Sequence, residues 1–280
     1  MAILSFVPSL ISATPEEVTA PVQIFNVGRL NVLVALIVYG LLLLYFIYYA
    51  RKGKDMFVRR IAGLDAVEEA VGRATEMGKA ILYVPGLASI DTVATIASMN
   101  ILSQVAKKTA AYGTTLLVPN RDPVVYTVAR EVVKEAYTDA GRPDAFNQDN
   151  VYFITQDQFG YTSAVCGTMV RDKPATNFFL GQFWAESLVL AETGAITGAI
   201  QIAGTDSIFQ LPFFIVACDY TLIGEELYAA SAYLSKEPLL LGSLKGQDWG
   251  KMLILAIMVA ASIAALLGFD RIVSFFSTGS

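Results

Sequence analysis

The sequence predicts an α/β protein: a mostly parallel, doubly wound sheet flanked by two membrane-crossing helices. Three observations carry the expectation. Two long uncharged apolar runs stand near the two ends, six short β-rich runs lie between them, and helical stretches alternate with those runs. The composition agrees, because 55% of the 280 residues are hydrophobic and only 16% are charged, against about 25% in an ordinary soluble domain. Mean hydropathy is +0.53.

The first long run is LNVLVALIVYGLLLLYFIYYA, residues 30–50. At a rise of about 1.5 Å per residue, some 21 residues cross a hydrocarbon core of about 30 Å. Tyr45, Tyr48 and Tyr49 supply an aromatic belt at its C-terminal end, followed by Arg51, Lys52, Lys54, Arg59 and Arg60, while Arg29 alone precedes it. By the positive-inside bias, residues 1–29 stand outside the cell inner membrane and the chain after Arg51 enters the cytoplasm. Residues 1–29 have no basic residue before Arg29 and carry Pro8, Pro15 and Pro21, so they read as an uncleaved extracytoplasmic segment. The second run, MLILAIMVAASIAALLGF, occupies 252–269 within a span assigned to 248–269, and residues 270–280 form an extracytoplasmic tail. Ala256, Ala260 and Ala264 recur every four residues there and offer a surface for close helix packing, hence an oligomer contact.

Residues 51–247 form the intervening cytoplasmic domain. Its apolar runs are AILYV (80–84), TTLLV (114–118), VYFIT (151–155), TNFFL (176–180), AIQIA (199–203) and FFIVA (213–217). Runs of about five residues that are apolar throughout suit parallel strands covered on both faces. Helices are expected over 64–77, 91–112, 123–140, 161–170, 185–193 and 224–234. Gly78 and Gly113 stop two of them, and Asp122 before Pro123 starts a third. Strand and helix alternating through short connections give a Rossmann-like architecture. Further spans at 178–204 or 207–223 are disfavoured, since Glu186, Glu192, Asp206 and Asp219 interrupt them and a mid-membrane charge costs at least about 2.5 kcal/mol.

The segments RRIAGLDAVEEAVGRATEMGKAILYVPG (59–86), TTLLVPNRDP (114–123), QFWAESLVLAETGAITG (182–198) and ACDYTLIGEELYAASAYLS (217–235) resemble a bacterial family of membrane proteins known only as a domain of unknown function. The resemblance spans roughly residues 30 to 270. It implies a membrane-anchored protein and brings no activity and no catalytic residues with it.

Function classes narrow by elimination. No histidine occurs, which removes Ser-His-Asp and Cys-His catalysis and histidine-ligated metals. Cys166 and Cys218 form no CxxC pair, and a net charge of −5 leaves no basic excess for nucleic acid. VPGLASID carries one glycine where a dinucleotide fingerprint needs three, and GSLKGQDWGK lacks phosphate-loop spacing. The strand ends are polar: Asn120, Arg121, Asp122, Gln156, Asp157, Asp206 and Asp219 are placed at the carboxyl edge of the sheet, where open α/β folds bind ligands. One reading gives Arg121 an anion and the aspartates a hydroxyl or a cation; the other makes the aspartates helix caps and turn formers. Among the helical glutamates, Glu225 and Tyr228 share a face, whereas Glu186 and Glu192 do not. The expected protein is a non-catalytic membrane scaffold, without cofactor or metal, assembled into homo-oligomers in the lipid bilayer, with other membrane proteins as further partners. The alternative is a membrane-tethered enzyme or small-ligand sensor.

Overall fold

The apolar runs AILYV and TNFFL become the most deeply covered strands. In the computed structural model, which describes residues 30–52, 62–235 and 237–267, six strands form one sheet: β1 (Ile81–Val84), β2 (Leu116–Asn120), β3 (Val151–Phe153), β4 (Thr176–Leu180), β5 (Ile200–Thr205) and β6 (Tyr220–Ile223). Their order is β3-β2-β1-β4-β5-β6. Every pairing is parallel, with Val84 opposite Phe179 and Phe178 opposite Ile202. β1 and β4 are buried along their whole length, while the edge strands β3 and β6 are partly exposed.

Parallel neighbours require crossovers, and helices supply them on both faces. One face carries α2 (Ala62–Met77), α3 (Val93–Tyr112), α4 (Pro123–Asp139) and α8 (Glu226–Ser235), which pack with Tyr83, Phe178 and Ile202. The other carries α5 (Gln158–Asp172), α6 (Ser187–Thr197) and α7 (Leu211–Ala217), which pack with Leu82, Phe179 and Ala203. The stops and starts are local chemistry. Gly113 ends α3 at φ 71°, and the Asp122 carboxylate accepts from the Val124 and Val125 amides at the start of α4.

FFIVA is a correction: residues 213–217 lie in α7, not in a strand. Its β-branched residues favour a strand. However, Pro212 presets the first helical turn, and Leu211 and Phe214, three apart, turn together into the core. The sixth strand is YTLI, residues 220–223. The second strand likewise starts two residues later than TTLLV, at Leu116.

Two helices are long and apolar enough to cross a membrane: α1 (Leu30–Arg51) and α9 (Pro238–Leu266). α9 starts well before the apolar run at 252 and has 29 residues, about 43 Å of helix. Its added turns hold Gly242, Gly246 and Gly250, all buried and four residues apart. A Cβ on Gly242 would lie 2.8 Å from Ile47 Cα, and one on Gly250 would strike the Tyr39 ring. Small residues at this spacing let helix backbones approach closely. The alanine ladder is divided instead: Ala264 is buried, Ala256 and Ala260 are exposed. By contacts the chain forms two compact units, Met1–Leu44 with Asp248–Ser280, and Tyr45–Gln247, which holds the sheet. The expected segment 1–29, the basic residues Lys54, Arg59 and Arg60, and the tail 270–280 lie outside the described residues. Arg51 and Lys52 end α1, exposed, with Lys52 Nζ 4.6 Å from the centre of the Tyr48 ring.

Candidate functional site

The order of strands reverses between β1 and β4, and in open parallel sheets ligands bind outside the carboxyl ends near such a reversal. Two loops meet there, 85–92 after β1 and 181–186 after β4. They touch backbone to backbone. Gly86 holds φ +85° and a Cβ on it would lie 2.7 Å from the Gln182 carbonyl oxygen; Gly181 holds φ +138° and a Cβ there would fall on the Pro85 carbonyl. The Leu87 amide donates to the Gln182 carbonyl at 2.9 Å. Only glycine tolerates such angles and such an approach.

Arg121, just past β2, braces this junction. Its Nη1 donates to the Leu87 carbonyl at 2.7 Å, its Nε donates to the Gln156 carbonyl at 2.8 Å, and its guanidinium lies 5.2 Å from the Trp184 ring centre. One side chain thereby ties the loops after β1, β3 and β4. Beneath them Glu186 is fully buried. It accepts from Gln158 Nε2 at 2.5 Å and from the Trp184 amide at 2.7 Å, so both carboxylate oxygens are used. Tyr161, also fully buried, donates to the Pro119 carbonyl. Burial raises its pKa most, the neighbouring Tyr152 and Glu186 add to the rise, and Arg121 opposes it.

Asp122 and Asp157 are helix caps: Asp157 accepts from the Gly160 amide at the start of α5. Asp206, at the end of β5, accepts from the Tyr228 hydroxyl at 2.6 Å. Burial, followed by that bond and the Asp206 charge, raises the Tyr228 pKa. Tyr228 thus pairs with Asp206, while Glu226 Oε2 accepts from the Ile223 amide at the β6 edge. Asn120 is fully buried; its Nδ2 donates to the Val118 and Tyr152 carbonyls, and its Oδ1 has no partner.

Asp219 is a second correction. With β6 starting at Tyr220, Asp219 precedes the strand and sits at the amino edge, where it accepts from the Gln201 amide at 2.8 Å. There it lines a cavity of about 260 Å³ with Glu69, Arg73, Ile200 and Tyr220. Burial pushes the adjacent Cys218 thiol up to about 12, with the Asp219 charge adding to the shift. Among the described residues, no group of three or more Cys, Asp or Glu is arranged to hold a metal ion.

The structure therefore gathers Arg121 and Gln156 into one network, leaves Asp122 and Asp157 in capping roles beside it, and separates Asp206 and Asp219. Glu186, Gln158 and Trp184 complete the network although helical spacing did not single them out. The available signal was positional: an acidic and an aromatic residue in the short GQFWAE connection directly after a buried strand. A family model described as "Domain of unknown function (DUF6754)" matches residues 20–276. No curated protein and no solved structure matches the chain.

Proposed function

The chain belongs to the DUF6754 family, and we propose that it is a non-catalytic, membrane-anchored scaffold that assembles into homo-oligomers. Its α1 and α9 cross the cell inner membrane, and its doubly wound, Rossmann-like domain faces the cytoplasm. The positive flank Arg51, Lys52, Lys54, Arg59 and Arg60 sets this orientation. One observation carries the assembly reading: Ile196, Ile208, Phe209 and Val216, on and beside α6 and α7, are 78–87% exposed. α6 and α7 pack against each other, and large apolar side chains left exposed on neighbouring helices mark a candidate interaction site. Mass photometry in mild detergent and in nanodiscs tests it, with species well above the 30.2 kDa protomer expected. A monodisperse monomer in both media overturns it. In a cysteine-free background, labelling of Ser89→Cys from outside intact cells would overturn the orientation.

A second reading, a membrane-tethered enzyme or small-ligand sensor, is favoured by the unpartnered Asn120 Oδ1 at the carboxyl end of β2. It expects a thermal shift of several degrees when the full chain in detergent meets a nucleotide, inorganic phosphate or magnesium, lost in Asn120→Ala, since ligand at 100 times its Kd stabilises by about 2.7 kcal/mol. No shift with any of them leaves the scaffold reading.

A further inference from the structure

The amino edge of the sheet is stepped where β5 meets β6. Ile202 pairs with Tyr220, the first residue of β6, so β5, which starts at Ile200, overhangs its neighbour by two residues. α2 closes one side of the step. Its Ala66, Glu69, Ala70 and Arg73 recur at three- and four-residue spacing and so share one helical face. Ala66 and Ala70 are buried and too small to fill the space, and a cavity of about 260 Å³ is left between this face, Ile200, Asp219 and Tyr220. That volume falls just under the roughly 300–1,000 Å³ of pockets for drug-sized ligands, so it suits a molecule of amino-acid size.

The walls carry one cation, Arg73, and two anions, Glu69 and Asp219. Glu69 and Arg73 stand one helical turn apart, a spacing at which opposite charges ordinarily pair. Among the described residues, however, neither makes an ion pair. Asp219 accepts from the Gln201 amide through Oδ2, while its Oδ1 carries no hydrogen bond among the described residues. Lys79 and Lys173, just before β1 and β4 on the same edge, do not line the cavity. All three charged side chains that do are reachable from solvent. We propose that this cavity binds a basic α-amino acid, its carboxylate on the Arg73 guanidinium and its two cationic groups on Glu69 and Asp219. The charges of such a ligand are the inverse of the lining. A planar guanidinium matches a carboxylate with two parallel donors. A neutral amino acid leaves one wall carboxylate without a cation, and a diamine leaves Arg73 without an anion; each mismatch discriminates against that ligand. Ile200 and the Tyr220 ring supply apolar surface for the aliphatic stem. The site stands at the opposite edge of the sheet from the Arg121 and Glu186 network and is independent of assembly.

Isothermal titration calorimetry of the full chain in detergent, with L-lysine and separately L-arginine, tests this directly. Titration to about 10 mM reaches roughly ten times the Kd of a millimolar site. Saturable binding of at least one of them, one molecule per protomer, is expected. Two analogues of lysine each lack one group: cadaverine has no carboxylate and L-norleucine has no side-chain amine. Both should bind about tenfold more weakly than lysine, the loss expected when one charge-assisted contact is removed. Arg73→Gln should weaken lysine about tenfold and leave cadaverine unchanged. Glu69→Gln and Asp219→Asn should each weaken lysine, and at least one of them should erase its advantage over norleucine. Asn at 219 keeps an oxygen for the Gln201 amide; should that variant still melt early, the two α2 variants, changed at exposed positions, decide the matter. No saturable binding of either amino acid overturns the proposal. So does equal binding of lysine, cadaverine and norleucine, or lysine binding that none of the variants weakens.

Discussion

Glu186 shows how much one side chain decides at the carboxyl edge. A buried carboxylate is costly unless its oxygens are satisfied, and here the Gln158 amide and the Trp184 backbone amide satisfy both. Glu186→Ala leaves those two donors unpaired, and each orphaned buried group costs about 1–3 kcal/mol. Glu186→Gln retains one acceptor oxygen and should cost less. Urea titration of the full chain in detergent checks the order wild type, Gln, Ala; equal stabilities would show that the network bears no load. Cys218 gives a pH dependence. Its pKa is raised by burial, so between the ordinary value of 9.0 and about 12 the unfolded chain releases the proton while the folded chain keeps it. Stability is thus fully present below pH 9.0 and falls as pH rises through that window. Buried Tyr83 and Tyr161, both shifted upward mainly by burial, act in the same direction. The melting temperature should decline less steeply between about pH 8 and pH 11 for Cys218→Ala than for the wild type; parallel declines would remove Cys218 as a cause.

At the scale of elements, α7 and α9 carry the lesson. α7 reads as a strand by composition and forms a helix because its apolar residues are three apart where the core needs them, with a proline in the opening turn. In α9 the residues that lack phosphate-loop spacing, GSLKGQDWG, place Gly242 and Gly250 against α1. A Gly242→Leu change puts a side chain where Ile47 and the Phe46 carbonyl already lie. The α1 contact at that turn should then open, costing about 1–3 kcal/mol by overpacking. A disulfide trap between Ile47→Cys and Gly242→Cys, in a chain lacking native cysteines, measures the closeness. Failure to oxidise would contradict the crossing.

For the whole molecule, the division of the alanine ladder decides which substitution tests the proposed assembly. Ala264 is buried within the chain, so Ala264→Leu perturbs the protomer, whereas Ala260 is exposed and open to a partner helix. Ala260→Leu should therefore reduce the oligomer in mass photometry without lowering the midpoint of urea unfolding by more than about 0.5 kcal/mol equivalent, the usual limit for a surface change. An unchanged mass distribution would assign any assembly to the sheet-bearing unit alone.

Periodicity and composition alone determined the class of this protein: α/β, parallel strands joined by helices, with two helices of membrane-crossing length. Those features were legible because each rests on local physics, the length of an apolar run, a glycine stop after Tyr112, an aspartate cap before Pro123. Strand order, and with it the place of each polar residue, was decided only by tertiary structure. Asp219 moved from the carboxyl edge to the amino edge because a packed Phe214 made its preceding run helical. Arg121 became a brace because three loops far apart in sequence converge on it. Glu186 became the buried centre of the network through two donors that no spacing announces. Contacts of that kind depend on which strands are neighbours, and neighbourhood in a sheet is settled by how whole layers pack.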